Sequence, residues 1–195
     1  MEKPADTAHP IEEPLRRRWS PRAFDERPVE AHKLLSLFEA ARWSASCYNE
    51  QPWHFIVATR DDEAGFSRLL SCLVEGNRVW AARAPVLMVS VARLAFAQSG
   101  KPNRHATHDV GLATAQLIVQ ATAMGLFAHP MAGFDPDKVR ELYDVPEGYE
   151  PVAAIAVGYA GDPATLPDSL RQRELAPRAR KPVESFVFRG RFGAA

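Results

Sequence analysis

Apolar and polar positions follow two rhythms along this chain. Leu34, Leu37, Phe38 and Ala41 fall on one stripe of a 3.6-residue repeat, which predicts a helix over 31–43. HFIVAT at 54–59 is a short, largely apolar strand candidate. Asp61 and Asp62 then offer an N-cap to a helix carrying Phe66, Leu69, Leu70 and Leu73, with Gly76-Asn77 as its stop. PVLMVSVA at 85–92 carries no charge, as expected of a strand buried on both faces. Residues 105–125 are small and apolar nearly all round, predicting a long helix buried on most sides and closed by Gly125.

A short strand around 127–131 comes next. A helix capped by Asp135 with Pro136 in its first turn should bury Val139, Leu142 and Tyr143. PVAAIAVGYA at 151–160 reads as another buried strand. Beyond 161 the rhythm is lost until ESFVFRG at 184–190, an apolar stretch suited to packing on a second subunit. Strands alternating with helices predict a layered α+β or α/β domain over 14–195, preceded by a flexible arm at 1–13. The last part of that domain, about 161–195, is expected as an extension.

The chain has 195 residues, enough to bury a core without covalent staples. Lys+Arg and Asp+Glu both number 24, and this neutral balance argues against general nucleic-acid binding. Only Cys47 and Cys72 are present, in no CxxC pair. No apolar run approaches the ~20 residues of a membrane span, and the polar start has no export h-region, so a cytoplasmic protein is expected.

Three segments hold the candidate chemistry. In RRRWSPRAF, 16–24, Arg18, Ser20 and Arg22 alternate; in an extended segment they share one face and can grip a phosphate. A basic surface loop would show the same residues. SASCYNEQPWHFIV, 44–57, carries Asn49 and Gln51, amides suited to a heteroaromatic edge of mixed polarity. RQRELAPRARKP, 171–182, repeats the alternation with Arg178 and Arg180. His105 and His108, three apart with Asp109 adjacent, could form a metal-binding corner, but no further ligand stands at recognisable spacing and no metal is expected; His108 and Asp109 suit a substrate pocket better. His54 and His129 lie in strand-like runs and read as satisfied core histidines. GxSxG, P-loop and GxGxxG motifs are lacking.

Taken in order, these segments resemble the nitroreductase family of FMN-dependent oxidoreductases. RWSPRAF resembles its R-x-S-x-R-x-F phosphate segment, and SASCYNEQPWHFIV its P-S-S-x-N-x-Q-P-W-x-F loop, with Ala45 and Cys47 departing. GLATAQLIVQATAMGL resembles its dimer helix, AHPMAGFD at 128–135 its flavin-facing P-x-x-G-F-D turn, and RARKP its basic clasp. The resemblance implies an α+β sandwich with a central mixed sheet flanked by helices, forming an interlocked homodimer with FMN at the subunit interface.

It further implies that Arg18, Trp19 (through its backbone), Ser20 and Arg22 bind FMN, with Arg22 stabilising the N1/O2 edge. Ser46, Asn49 and Gln51 would come from the other subunit or line the ring edge. Pro130, Met131, Ala132 and Gly133 would run along the ring, and Arg178 and Arg180 would complete the phosphate site. His108, Asp109 and Met131 would line the substrate pocket. Ala132 stands where many members carry Glu, a change that bears on substrate choice or nicotinamide docking. The expected activity is ping-pong reduction of nitroaromatics or quinones by NAD(P)H. Flavin fragmentation, dehalogenation or flavin storage is the alternative, and a flavin-free interaction scaffold is a third reading.

Overall fold

The computed structural model describes residues 2–193; Met1 and residues 194–195, the outermost positions of the expected arm and extension, lie outside the described residues. The elements run α1 (Glu13–Arg17), α2 (Ala31–Arg42), β1 (Trp53–Thr59), α3 (Glu63–Leu70), α4 (Glu75–Ala81), β2 (Val86–Arg93) and α5 (Ala106–Ala123). They continue with β3 (Phe127–Met131), α6 (Pro136–Leu142), β4 (Tyr149–Gly158) and α7 (Asp168–Leu175).

One sheet, ordered β1-β2-β4-β3, divides the molecule. Strand β2 is central and buried, and its side chains alternate between two cores. Leu87, Val89 and Val91 join Phe66, Leu69, Trp80 and Val139 from α3, α4 and α6. Val86 and Met88 point the other way, to Leu37, Ala41, Ala113 and Leu117 of α2 and α5. Ala154 and Ala156 of β4 take the first side, Ile155 and Val157 the second. The result is helix, sheet, helix in three layers.

Four expectations need correction. The sheet is antiparallel in all three pairings, not mixed; the helical connections between its strands are long enough to return in either direction. Gly76 and Asn77 do not stop a helix but sit inside α4, where Asn77 Nδ2 donates to the Gly133 carbonyl at 2.9 Å. A tertiary contact overrides the poor helix propensity of that pair. His54 is exposed on the outer strand β1, not in a core. Helix α7 occurs where no periodicity announced one, because the residue it buries is Glu174.

Other signals hold as read. Asp62 and Asp135 cap α3 and α6 by accepting the Gly65 and Lys138 N–H groups. Gly125 ends α5 with φ +75°, a left-handed conformation. Residues 23–25 lie against the end of β4, with Gly161 N donating to Ala23 O at 2.8 Å and Asp25 N to Tyr159 O at 3.0 Å. A Cβ on Gly161 would stand 2.5 Å from the Phe24 carbonyl carbon, so this approach demands glycine.

Candidate functional site

The alternation in the first arginine segment is realised. Trp19, Pro21 and Ala23 are buried, while Arg18, Ser20 and Arg22 remain part-exposed on the opposite side. Trp19 packs edge-to-face on Phe127, at 6.0 Å between ring centroids, which fixes the segment to β3.

Arg18, Ser20 and Arg22 line a polar cavity of about 210 Å³. Its other wall is formed by Arg173, Arg178 and Arg180, so two segments from opposite ends of the sequence meet. Six basic residues, Lys3 among them, line it against a single acidic one, Glu174. Arg18 is held below its usual pKa by burial and then by Arg178 and Arg180, the mark of crowded like charges.

Glu174 had no sequence signal. Its side chain is 1% exposed, and its carboxylate accepts the backbone N–H of Arg22, at 2.9 and 3.1 Å, and of Ala23, at 3.0 Å. The Arg22 guanidinium stands 4.0 Å away. Glu174 therefore locks the backbone of the cradle. Arg178 is also partly committed, its Nη1 donating to Lys3 O at 2.5 Å and to Arg16 O at 3.3 Å. Arg180 is more exposed and donates to the adjacent Ala179 carbonyl.

Does this donor set fit the phosphate of FMN? Forked guanidiniums, a hydroxyl and an ammonium facing one carboxylate are the chemistry of a phosphate site. Trp19 lines the same cavity, and its buried Nε1 has no hydrogen-bond partner among the described residues, a donor left over for a ligand. The residues fit the group.

The turn expected to face the flavin begins within the last residues of β3, an outer strand of the sheet. Pro130 and Ala132 are exposed and Gly133 part-buried. Met131 needs correction as a pocket residue: its side chain is 4% exposed and packed in the core, leaving only backbone to a ligand. At Gly133 a Cβ would meet Asn77 Nδ2 at 2.6 Å and Val74 Cγ2 at 2.8 Å, so the turn is pinned against α4. His129, one residue before Pro130, bonds through Nδ1 to the Pro21 carbonyl at 2.7 Å and ties the turn to the arginine segment. Burial, reinforced by Arg22 and Arg18, pushes its pKa down to about 4 against the opposing Pro21 bond.

Ser46, Asn49 and Gln51 are brought together with one another but not with the cradle. Gln51 N donates to Ser46 Oγ at 3.0 Å, and Gln51 Nε2 to the Asn49 carbonyl at 3.2 Å. Tyr48, Asn49 and Gln51 all have positive φ, between 51° and 56°. Asn tolerates this region, whereas Tyr and Gln are strained there, a pattern that clusters at functional sites. The Cys47 N–H donates to Asp109 Oδ2 at 2.9 Å, and His108 Nδ1 meets Asp109 Oδ1 at 3.0 Å. Asp109 is buried and acts as an anchor; His108 is exposed beside the loop.

This loop leads into β1, at the opposite edge of the sheet from β3. Strands lie ~4.8 Å apart, so three steps separate the two half-sites by roughly 14 Å across the sheet alone. Beside the loop is a hollow of about 720 Å³ bounded by Tyr48, Asn49, Glu50, Phe96 and Lys101. Glu50 braces it by pairing with Arg93 and accepting the Ala97 N–H at 2.7 Å. The sequence offered no signal for this hollow, because the 94–104 connection folds back on itself through backbone pairs such as Phe96 N to Lys101 O and Asn103 N to Leu94 O, and meets the loop through Glu50.

Residues 15–159 match the family model described as Nitroreductase family. An uncharacterised 15.4 kDa protein of Mycolicibacterium smegmatis is 35% identical, over 71% of this chain and 97% of its own. A protein of Stenotrophomonas maltophilia provisionally named NADH dehydrogenase/NAD(P)H nitroreductase is 31% identical, over 74% of this chain and 81% of its own. Among solved structures, one described as an oxidoreductase containing FMN superposes with TM-score 0.92 and 36% identity, covering 97% of this chain and 96% of that one. A nitroreductase family protein of Clostridium difficile 630 gives TM-score 0.69 at 25% identity, covering 89% and 94%. The family match stops before α7, so Glu174 and the Arg178–Arg180 clasp lie beyond it.

Proposed function

This chain belongs to the nitroreductase family, and on that footing we propose that its arginine cradle holds the phosphate of FMN in an NAD(P)H-dependent oxidoreductase. The carrying observation is the cavity in which Arg18, Ser20, Arg22, Arg178 and Arg180 converge with Glu174 as the only acidic lining residue. Bound FMN supplies the two-electron redox chemistry; the protein supplies orientation and fixed charge.

In this reading Arg18, Ser20 and Arg180 hold the phosphate, and Arg178 adds the part of its guanidinium that Lys3 O and Arg16 O leave free. Arg22, its backbone locked by Glu174, places a cation at the N1/O2 edge, where such preorganised charge acts most strongly. The exposed backbone of Pro130–Gly133 lies along the ring. No general acid–base pair is required of the side chains for electron exchange.

A second copy completes the site. Ser46, Asn49 and Gln51 sit at the far edge of the sheet, so a flavin on the cradle of one chain meets this loop of another. Helix α5 supports the dimer: Gly111, Leu112, Ala115 and Gln116 form an exposed face on which the small Gly111 and Ala115 allow close helix approach. The apolar tail around Phe186, Val187 and Phe192, exposed in one protomer, is assigned to the surface of the second.

Donor and acceptor use the same open face in turn, giving ping-pong kinetics. Planar, electron-poor acceptors such as nitroaromatics and quinones suit that face, and the hollow between Tyr48 and Lys101 takes their outlying groups. Among the described residues no helix is long and apolar enough to cross a membrane. We place the reaction in the cytoplasm, where NAD(P)H is supplied.

The test is the visible spectrum of the purified protein, followed by anaerobic addition of NADPH or NADH. A yellow protein that bleaches is expected. Yellow without bleaching overturns the reductase in favour of flavin storage or another flavin reaction. A colourless protein that takes up no FMN overturns the whole reading.

A further inference from the structure

The N-terminal arm is fastened to the cradle by reciprocal bonds. Lys3 Nζ donates to the carbonyls of Glu174, at 2.6 Å, and Ala176, at 2.5 Å, where α7 ends. Arg178 Nη1 returns a bond to the Lys3 carbonyl at 2.5 Å. Ala5 N donates to Arg16 O at 2.7 Å, and Glu2 pairs with Arg17 at 3.4 Å. The Lys3 ammonium lies 5.1 Å from the Trp19 ring centroid, over the indole whose own N–H has no partner among the described residues.

Two of the three ammonium donors are thus used on carbonyls, and one remains. Lys3 lines the same cavity as Arg18, Ser20 and Arg22. We propose that Lys3 is a binding residue for the flavin phosphate, held at that site by the fastened arm of residues 2–5. The inference rests on the FMN reading above. A latch needing only to fasten the chain ends has no reason to bring another cation among five arginines. Burial, then Arg178, already holds the Lys3 ammonium below its ordinary pKa against the pull of Glu174. A phosphate dianion in the cavity relieves that crowding.

The experiment measures the affinity of the deflavinated full chain for FMN and for riboflavin, which lacks the phosphate, by quenching of flavin fluorescence. Lys3→Met keeps the stem on Trp19 and removes the charge; Lys3→Arg keeps the charge. We expect Lys3→Met to weaken FMN about tenfold, as for one charge-assisted contact, with riboflavin affinity unchanged. Lys3→Arg should retain most of the FMN affinity. Equal losses for both ligands, or none, overturn the role of Lys3 while leaving FMN binding by the wild type intact. Absence of any preference for FMN over riboflavin in the wild type overturns the phosphate site itself. Thermal unfolding of each apoprotein separates a lost fold from a lost contact.

Discussion

The Glu174 carboxylate accepts the backbone N–H of Arg22 at 2.9 Å across 152 residues of sequence, with side-chain burial of the acid essentially complete. A carboxylate so near the proposed phosphate site would ordinarily oppose its anion. Here it spends its lone pairs on the N–H groups of Arg22 and Ala23 and faces the Arg22 guanidinium. It shapes the cradle while the surrounding basic residues keep the cavity electropositive.

Glu174→Ala should therefore leave two backbone donors without their partner and free α7 from the arginine segment. Hydrogen bonds to charged groups contribute ~1.5–3 kcal/mol, so a loss of about 3 kcal/mol is expected in urea unfolding. FMN affinity should fall with it although one negative charge has been removed. An unchanged unfolding midpoint with tighter FMN would show that Glu174 acts only as an opposing charge.

The arginines should separate by role. Arg180→Ala and Arg18→Ala should weaken FMN about tenfold and leave riboflavin unchanged, because each loses a charged hydrogen bond to phosphate. Arg22→Ala should also lower the flavin's reduction potential, since a cation at the N1/O2 edge favours the reduced state. Spectroelectrochemistry of the loaded protein reads this directly; an unshifted potential would remove Arg22 from the ring edge.

Much of the architecture is legible in local pattern. The uncharged run at 85–92 marks the central strand, and the i, i+2 spacing of Arg18, Ser20 and Arg22 marks a shared face because Trp19, Pro21 and Ala23 needed burial. Helix α7 escaped for the converse reason: it presents a buried carboxylate instead of an apolar stripe, and no hydrophobic period encodes that. Asn77 in α4 is explained only by the Gly133 carbonyl 56 residues away. The separation of Ser46, Asn49 and Gln51 from the cradle depends on strand order, a non-local property, so residue types alone named them without showing that they and the cradle lie at opposite edges of one sheet.

On the proposed reading, that separation ties FMN binding to dimer formation. Ala115 lies on the exposed face of α5, and Ala115→Arg puts a long charged side chain into the proposed helix–helix contact, where an unpaired buried charge is costly. Light scattering should report a monomer, and FMN should be lost although every cradle residue is intact. A monomer that retains FMN at wild-type affinity would place the whole site within one chain.

His129 gives the fold its own acid limit. Its Nδ1 must carry a proton, because the Pro21 carbonyl only accepts, so the ring is neutral when this bond is made with Nε2 bare. Burial, with help from Arg22 and Arg18, holds the folded-state pKa at about 4, below the unfolded value of 6.5. The unfolded chain therefore binds more protons between these values, and stability falls as pH drops from 6.5 toward 4. Above pH 6.5 the contribution is fully present; below pH 4 it has been lost. The depression corresponds to about 3 kcal/mol over that window, at 1.36 kcal/mol per pKa unit. His129→Asn, whose amide can reach the Pro21 carbonyl without titrating, should flatten this part of the stability profile. Urea unfolding midpoints across pH 4–7 decide it: equal slopes for wild type and variant would assign the acid sensitivity to other groups. A phosphate bound by Arg18 offsets one of the cations that disfavour imidazolium, so FMN should also lessen the wild-type stability loss over this pH range.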